Sequence, residues 1–119
     1  MGNFRNLLIW QKSMVLVTSI YDVTRTFPKD EVYGLTSQIR RCSVSIPSNI
    51  AEGYGRGGDI ELKRFFSITL GSLFELQTQI EIAYNIKYLN KDTFKQLYEN
   101  TRELEIMLTS FINKIKQGN

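Results

Sequence analysis

The chain has 119 residues, of which 42% are hydrophobic and 23% are charged, and its formal net charge is +3. This length predicts one domain, residues 1–119, that buries a core without disulfides or metals. The chain has no histidine, which removes the usual general base near neutral pH and the commonest metal ligand, and its single cysteine excludes an intrachain disulfide. We therefore expect a protein that is not an enzyme and that holds no metal or cofactor.

The sequence also lacks signals for secretion and membrane insertion. The opening MGNFRNLLIW has no long uncharged apolar core, and no apolar run approaches the roughly 20 residues that span a bilayer. We expect a soluble, cytoplasmic protein without a membrane segment. The positive excess lies in residues 1–58, where seven lysines and arginines stand against four acids, whereas residues 59–119 hold eight of each. This modest excess permits contact with a polyanion but does not establish it, because a solvated surface of this charge needs no partner.

Four stretches with helical spacing of apolar residues follow one another, and none shows the sustained alternation of a strand. The first covers about residues 8–27 and ends where Pro28 forbids continuation. Its predicted inward stripe is Trp10, Met14, Val17, Tyr21 and Thr24.

The second helix is predicted to begin within DEVYGL, residues 30–35, and to run to Gly53. Its apolar stripe is narrow and consists of Leu35, Ile39, Cys42, Ile46 and Ile50. Pro47 interrupts the pattern without shifting it, so we predict one helix kinked at Pro47. Because Cys42 lies in the stripe, we interpret it as a small core residue and not as a nucleophile.

A glycine-rich run, GYGRGGD, follows at residues 53–59. In the structural interpretation, Gly53 is the left-handed residue that closes the helix, and Gly55 and the later glycines form a turn before Asp59 caps the next helix. In the functional interpretation, a glycine loop before a helix binds phosphate. The run lacks the Gly-Lys-Ser/Thr of a Walker loop and the preceding strand of a dinucleotide fold, which favours the structural interpretation.

The third helix, predicted over about residues 59–88, carries more apolar surface than a core-facing stripe needs. Well over half its circumference is covered by Phe65, Phe66, Ile68, Leu70, Leu73, Phe74, Leu76 and Ile80. We expect a second copy of the chain to cover part of this surface. In the alternative, the helix is central and contacts three neighbours of its own chain.

A short link, NKD, leads to a fourth helix that Asp92 is predicted to cap and that runs to about residue 116. Its predicted inward side is Leu97, Thr101, Leu104, Leu108, Phe111 and Ile115. Short links place consecutive helices antiparallel. The predicted fold class is therefore all-α, an up-down antiparallel four-helix bundle.

Five basic residues lie around the second helix, its glycine turn and the start of the third: Arg40, Arg41, Arg56, Lys63 and Arg64. An antiparallel helix pair can bring several of them to one side, where they would contact phosphates of RNA or DNA in a salt-dependent way. In the alternative, they are solvated and pair with Glu52, Asp59 or Glu61. A further interpretation gives Tyr54 and Arg56 stacking and phosphate-contacting roles on single-stranded nucleic acid.

Several long motifs resemble those of one protein family. They are the runs YGLTSQIRRCSVSIPSNIAEGYGR and FFSITLGSLFELQTQIEIA, the opening LIWQKSMVLV, and the FP that ends the first helix. Together they are similar to the small four-helix-bundle proteins encoded within intervening sequences of bacterial 23S ribosomal RNA genes. The same family includes the accessory variability determinant of diversity-generating retroelements. The resemblance covers nearly the whole chain.

This resemblance implies an up-down bundle that assembles into a homopentameric, barrel-like ring. For the retroelement members, it implies association with nucleic acid and a reverse transcriptase through basic surface. The family's basic motif contains Arg40, Arg41 and Arg56. Its kink and turn contain Pro47, Gly53 and Gly55. The chain departs from the family pattern in CSVS, residues 42–45, where alanine is usual, and in its low net charge.

We therefore expect a non-enzymatic homo-oligomer, a pentamer by resemblance, whose basic surface makes weak contacts with RNA or DNA that are not specific for sequence. The alternative is a protein-interaction scaffold. In that case the chain is an accessory subunit for a partner protein such as a reverse transcriptase, and contact with nucleic acid is incidental.

Overall fold

The computed structural model describes the backbone of residues 3–117 and the side chains of residues 3–115. Over this range the chain forms four α-helices and no strand. The helices are α1 (Leu8–Val23), α2 (Leu35–Gly55), α3 (Asp59–Asn85) and α4 (Lys91–Gln117). Short 3₁₀ turns occupy Phe4–Asn6, Thr24–Thr26 and Lys29–Glu31. The predicted all-α fold class is confirmed.

The helices pack in a closed order around one core. Each helix contacts the next one in the chain, and α4 closes the bundle against α1. The links between α2 and α3, residues 56–58, and between α3 and α4, residues 86–90, are too short for a parallel crossover, so neighbours run antiparallel. The bundle measures 46 × 22 × 20 Å. This is the predicted up-down four-helix arrangement.

The predicted inward stripes of α2 and α4 are confirmed. In α2, Leu35 is half-buried and the other four stripe residues are buried. In α4, Phe111 is half-buried and the other five are buried. Each of these helices carries a single apolar row, so its orientation follows from the spacing alone.

The predicted stripe of α1 is displaced by one residue, except at Thr24, which is buried as predicted. The buried residues are Ile9, Ser13, Leu16, Ile20 and, beyond the helix, Thr24. Met14 and Tyr21 are 42% and 39% exposed. The helix carries two adjacent rows with the same spacing, and the fold buries the row that contains the small Ser13. Its hydroxyl donates to the carbonyl of Trp10 at 2.7 Å, so this buried polar group is satisfied.

The prediction that Gly53 closes α2 in a left-handed conformation is also wrong. The helix continues to Gly55, and the left-handed residue is Gly57, with φ 78°. Gly53 is helical and buried. A Cβ at Gly53 would lie 2.6 Å from the Cβ of Phe65 in α3. The glycine therefore allows α2 and α3 to approach each other closely.

Two predicted helix caps differ from those observed. The residue before α3 is Gly58, and Asp59 is the first residue of the helix, where its charge favours the helix dipole. At the start of α4, the side-chain oxygen of Asn90 accepts the N–H of Thr93 at 2.8 Å, and Asp92 lies within the first turn. Asn90 is therefore the N-cap of α4.

Pro47 is buried inside α2, which is helical on both sides of it. Its missing N–H leaves the carbonyl of Ser43 without its usual helical donor. Three nearby serines donate their hydroxyls to carbonyls about one turn earlier: Ser43 to Arg40, Ser45 to Cys42 and Ser48 to Val44. A kink at Pro47 remains a prediction.

The link after α3 is tied to the link before α2. The helix ends at Asn85, and Lys87 adopts φ 69° while the N–H of Tyr88 donates back to the carbonyl of Ala83 at 2.8 Å. The hydroxyl of Tyr88 donates to Glu31 at 2.7 Å, and the other oxygen of Glu31 accepts the N–H of Leu35 at 3.0 Å. Both hydrogen bonds lower the pKa of Glu31, with that from Tyr88 the larger cause.

Candidate functional site

Two of the five predicted basic residues meet at the glycine turn. The guanidinium carbons of Arg56 and Arg64 lie 5.2 and 5.3 Å from the centroid of the Phe65 ring. Each arginine also pairs with a carboxylate, Arg56 with Glu52 at 2.7 Å and Arg64 with Glu61 at 3.2 Å. The hydrogen bond to Glu52 raises the pKa of Arg56. The positive charge of this pair is therefore balanced by acids of the same surface.

Gly53 is the residue that allows Arg56 and Arg64 to meet. Because Gly53 has no Cβ, the last turns of α2 pack directly against Phe65, which is 7% exposed. Arg56 follows at the end of α2, and Arg64 immediately precedes Phe65 in α3. The close approach of the two helices thus brings both guanidinium groups over one ring.

Arg40 lies far from that pair. It is 16 residues before Arg56, which corresponds to about 24 Å along the helix. Its Nε donates to the hydroxyl of Thr24 at 2.8 Å, and its Nη2 donates to the carbonyl of Tyr21 at 3.3 Å. Its guanidinium carbon lies 4.6 Å from the centroid of the Tyr21 ring. Arg40 therefore connects α2 to the carboxyl end of α1, where the helix dipole favours a cation.

The remaining two predicted residues have no ion pair within the described part of the chain. Arg41 is exposed and Lys63 is half-buried. The five basic residues therefore do not form one cluster: Arg56 and Arg64 are brought together, Lys63 adjoins them in sequence, and Arg40 and Arg41 lie near the start of α2.

Two further basic residues, Arg25 and Lys29, line a cleft with Arg40 and were not among the predicted site residues. The cleft has a volume of about 390 Å³ and lies between the end of α1 and the start of α2. Both residues flank the Phe27-Pro28 pair that ends the first helix. That pair ends the first helix and reverses the chain direction, which brings the side chains of Arg25 and Lys29 toward α2. It is the sequence feature from which their position could have been predicted.

The outward side of α3 carries exposed apolar side chains among polar ones such as Arg64, Ser67, Glu75 and Thr78. The apolar ones are Ile60, Ile68, Phe74 and Ile82 in the helix and Ile86 directly after it, with exposed fractions of 83%, 43%, 45%, 44% and 47%. At the angular spacing of an α-helix they fall within about 120° of the circumference. Within the described chain, α3 packs against α2 and α4 and has at most a minor contact with α1. The three-neighbour alternative therefore does not describe this fold.

Comparison with known protein families shows which family matches this chain. A protein-family profile described as 23S rRNA-intervening sequence protein matches residues 5–110. The chain belongs to this family.

The fold of this chain is also seen in a solved structure. That structure is the crystal structure of a protein with unknown function from the S23 ribosomal protein family of Bacteroides thetaiotaomicron. The TM-score is 0.82 at 19% sequence identity, and the match covers 88% of this chain and 98% of that one. At this identity the likeness shows the fold alone. A comparison with curated proteins finds no match.

Cys42 of the 23S rRNA-intervening sequence protein is not poised as a thiolate. Burial, with the charge and hydrogen bonding of Glu75 as further causes, raises its pKa to about 12. The thiol donates to the carbonyl of Ser72 at 3.1 Å. At neutral pH the sulfur is therefore protonated and belongs to the α2–α3 interface.

Residues 3–117 also lack the features of a metal site or a membrane span. No group of three or more Cys, Asp or Glu side chains there is arranged to hold a metal ion. None of the helices in that range combines the length and apolar character that crossing a membrane requires.

Proposed function

We propose that this 23S rRNA-intervening sequence protein is a non-enzymatic, self-assembling bundle of the cytoplasm. Its assembled form makes weak contacts with RNA or DNA that do not depend on base sequence. The observation that carries the proposal is the exposed apolar face of α3. Five large apolar side chains along one side of α3 and at its carboxyl end are 43–83% exposed, so a second copy that covered them would remove apolar surface from water.

A second apolar surface supplies the complementary partner for that face. It is a groove of about 370 Å³ between the start of α1 and the end of α4. Leu8 and Ile106, which line it, are 55% and 60% exposed. Because α1 and α3 stand at opposite corners of the bundle, the groove and the α3 face belong to different sides. Contact between two different surfaces is heterologous, and it generates a ring where the rotation from copy to copy closes and an open filament where it does not. We propose a ring of five, the assembly that the family resemblance implies.

Ring symmetry would repeat the basic residues of each copy. The carboxylate pairs of Arg56 and Arg64 are largely exposed, so phosphate can exchange for carboxylate at little cost in free energy. Arg41 and Lys63 have no such pair among the described residues. Contact with nucleic acid through these groups is electrostatic, weak for one copy and strengthened by repetition.

The assembly is tested by light scattering at micromolar concentration. The native chain is expected to run as a multimer, and the double variant Ile68→Asp/Ile82→Asp as a folded single chain. The matched control, Gln38→Asp/Gln96→Asp, adds the same charge at exposed polar positions and is expected to remain multimeric. A native protein with the mass of one chain would refute the proposal.

The heterologous geometry has its own test. Ile106→Asp in the groove is expected to dissociate the ring as the α3 variant does. A mixture of the two variants retains one good groove and one good α3 face, and is expected to form a one-to-one dimer. If the mixture stays monomeric, the two surfaces do not bind each other.

Contact with nucleic acid is tested by binding single-stranded RNA at increasing salt. The affinity is expected to fall steeply with salt and to fall further in Arg41→Glu/Lys63→Glu. An affinity that does not change between low and moderate salt would contradict an electrostatic contact.

The second candidate function is a scaffold for a partner protein, such as a reverse transcriptase. The turn that precedes α2 favours this function, because Tyr33 there is 94% exposed and Val32 is 53% exposed. Exposed tyrosines of this kind are common anchors of protein interfaces. This function would be favoured over the first if the affinity for a partner protein did not change with salt and if the Tyr33→Ala variant lost that binding.

A further inference from the structure

The cleft between the end of α1 and the start of α2 has the composition of a binding site for a small anion. Its cationic lining residues are Arg25, Lys29 and Arg40, and no acid is found among the described residues that line it. Its apolar wall is formed by Phe27, Pro28 and Val32. The volume of about 390 Å³ is in the range of small-ligand sites.

Arg40 is held in position before any ligand arrives. Two of its five N–H groups donate to Thr24 and Tyr21, and the face of its guanidinium packs against the Tyr21 ring. Both hydrogen-bond acceptors are uncharged, and Arg40 forms no ion pair within the described chain. A half-buried guanidinium without a counter-ion is a favourable place for an anion, because its remaining donors are already oriented.

Thr36 supplies a second, independent observation. It lines the same cleft and is only 7% exposed, yet its hydroxyl has no hydrogen-bond partner within the described structure. Buried hydroxyls without partners are uncommon and costly. Rotation about χ1 exchanges the hydroxyl and methyl positions of threonine, so this hydroxyl can turn to an acceptor in the cleft.

The nearby acids are committed elsewhere or are weakly engaged. Glu31 accepts hydrogen bonds from Leu35 and Tyr88. Asp22 lies 3.9 Å from Arg25, with both side chains about three-quarters exposed, so this pair gives way readily to a stronger anion. Asp30 follows Lys29 in the same 3₁₀ turn, but it does not line the cleft and forms no ion pair among the described residues. No carboxylate that lines the cleft therefore pairs with its three cations.

We propose that this cleft binds a phosphate monoester. Its oxygens would contact Arg25, Lys29 and Arg40, and its organic part would rest against Pro28 and Val32. A monoester carries close to two negative charges at neutral pH and three strong acceptor oxygens, which match three cations better than a carboxylate does. The apolar wall distinguishes an ester from inorganic phosphate.

This inference concerns one copy of the chain and requires neither the ring nor the proposed contact with nucleic acid. Of the five basic residues predicted from the sequence, only Arg40 lines this cleft, and the proposed contact with nucleic acid names the other four. The source of the monoester is either a free nucleotide or the phosphorylated end of a strand, and the two present the same chemistry to the cleft.

The test is calorimetric titration at fixed ionic strength with adenosine 5′-monophosphate, adenosine and inorganic phosphate. The nucleotide is expected to bind at least about tenfold more tightly than adenosine and more tightly than inorganic phosphate. Equal binding of nucleotide and adenosine, or no binding of the nucleotide, overturns the proposal.

The variant Arg25→Gln/Lys29→Gln removes two cations from exposed positions, and circular dichroism verifies that it folds. It is expected to weaken nucleotide binding about tenfold, which is the loss expected from two partly exposed charge-assisted hydrogen bonds. The control Lys91→Gln/Lys95→Gln removes the same charge from α4 and is expected to bind as the native chain does. Equal losses in both variants would show only a general effect of net charge and would overturn the assignment.

Thr36→Val provides a readout that a purely structural role would not produce. Removal of the unpartnered hydroxyl is expected to raise the urea midpoint of unfolding while it weakens nucleotide binding severalfold. Unchanged nucleotide binding in this variant would remove Thr36 from the site.

Two RNA hexamers of one sequence, one with a 5′-phosphate and one with a 5′-hydroxyl, identify the source. Tighter binding of the phosphorylated hexamer, lost in Arg25→Gln/Lys29→Gln, assigns the cleft to strand ends. If only the free nucleotide depends on those residues, the cleft is assigned to a small ligand. Binding of the 5′-hydroxyl hexamer reports on the proposed nucleic-acid contact alone, so the two proposals fail separately.

Discussion

Replacing Gly53 by alanine tests whether this glycine is present for close packing or for backbone freedom. The new Cβ would lie 2.6 Å from the Cβ of Phe65, a distance that real Cβ atoms essentially never show. The opposing atom is attached directly to the backbone of α3, so no side-chain rotation relieves the clash. The two helices would have to move apart.

The expected cost follows from two opposing effects. Overpacking of this kind costs about 1–3 kcal/mol, and a stiff opposing atom puts Gly53 near the upper end of that range. Alanine is better than glycine inside a helix by about 1 kcal/mol. The net loss is therefore about 2 kcal/mol, which corresponds to a decrease in Tm of about 8 °C for a chain of this length.

Gly55 is the matched control because it lies in the same helix, and a Cβ added there would have no atom within 4 Å. Gly55→Ala is expected to gain up to about 1 kcal/mol from helix propensity. Both variants are measured by urea unfolding at one protein concentration, since assembly would make stability depend on concentration. If Gly53→Ala is as stable as Gly55→Ala, the close-packing explanation is refuted.

Three further predictions follow from the loops and from Arg40. Lys87→Gly is expected to leave the free energy of unfolding unchanged or to raise it by up to about 1 kcal/mol, because Lys87 is left-handed; a clear loss in urea unfolding would contradict this. The pKa of Glu31 is lowered in the fold, so its contribution to stability is complete above its ordinary value of 4.5 and is lost as pH falls through the lowered value. The difference in urea midpoint between the native chain and Glu31→Gln should therefore be present at pH 7 and disappear in strong acid, and an equal difference at both would refute the assignment. Arg40→Ala is expected to cost about 1–2 kcal/mol through its lost hydrogen bonds, whereas Arg41→Ala should lie within about 0.5 kcal/mol of native in thermal unfolding; equal effects would show that Arg40 does not connect α2 to α1.

The inward side of a helix could be predicted from the sequence where the helix carries one main row of apolar residues. In α2 and α4 the period of 3.6 residues defines a single inward side, and the structure buries it. In α1, two adjacent rows have the same spacing, and hydrophobicity favoured the row with Trp10 and Met14. The fold buries the other row, which contains Ser13, and the spacing alone does not distinguish the two rows.

The glycines and caps show a second limit of the sequence. A left-handed backbone and a close helix contact both require glycine, so Gly53 and Gly57 are equivalent until Phe65 is placed opposite one of them. Likewise, Asn90 and Asp92 are both good caps by residue type, and in the structure Asn90 serves. Residue type alone decides neither choice.

The sequence identified the candidate basic residues by their type, but it did not predict which of them lie together. Arg40 and Arg56 are separated by about 24 Å along α2, which follows from helix geometry. The meeting of Arg56 and Arg64 over Phe65 depends on the close approach of α2 and α3 at Gly53. Arg25 and Lys29 were missed because their relation to Arg40 arises from the fold-back at Pro28, which brings the end of α1 beside α2.

The closed order of the helices also has a kinetic consequence. Each helix finds its main partner in the next segment of the chain, so most native contacts form across short loops, and such topologies fold within microseconds to milliseconds. The α1–α4 interface is the thinnest of the four and joins the segments farthest apart in sequence. Its formation closes the largest loop. We therefore expect hairpins of neighbouring helices to form first, the α1–α4 seam to close last, and this seam to open earliest when the bundle unfolds.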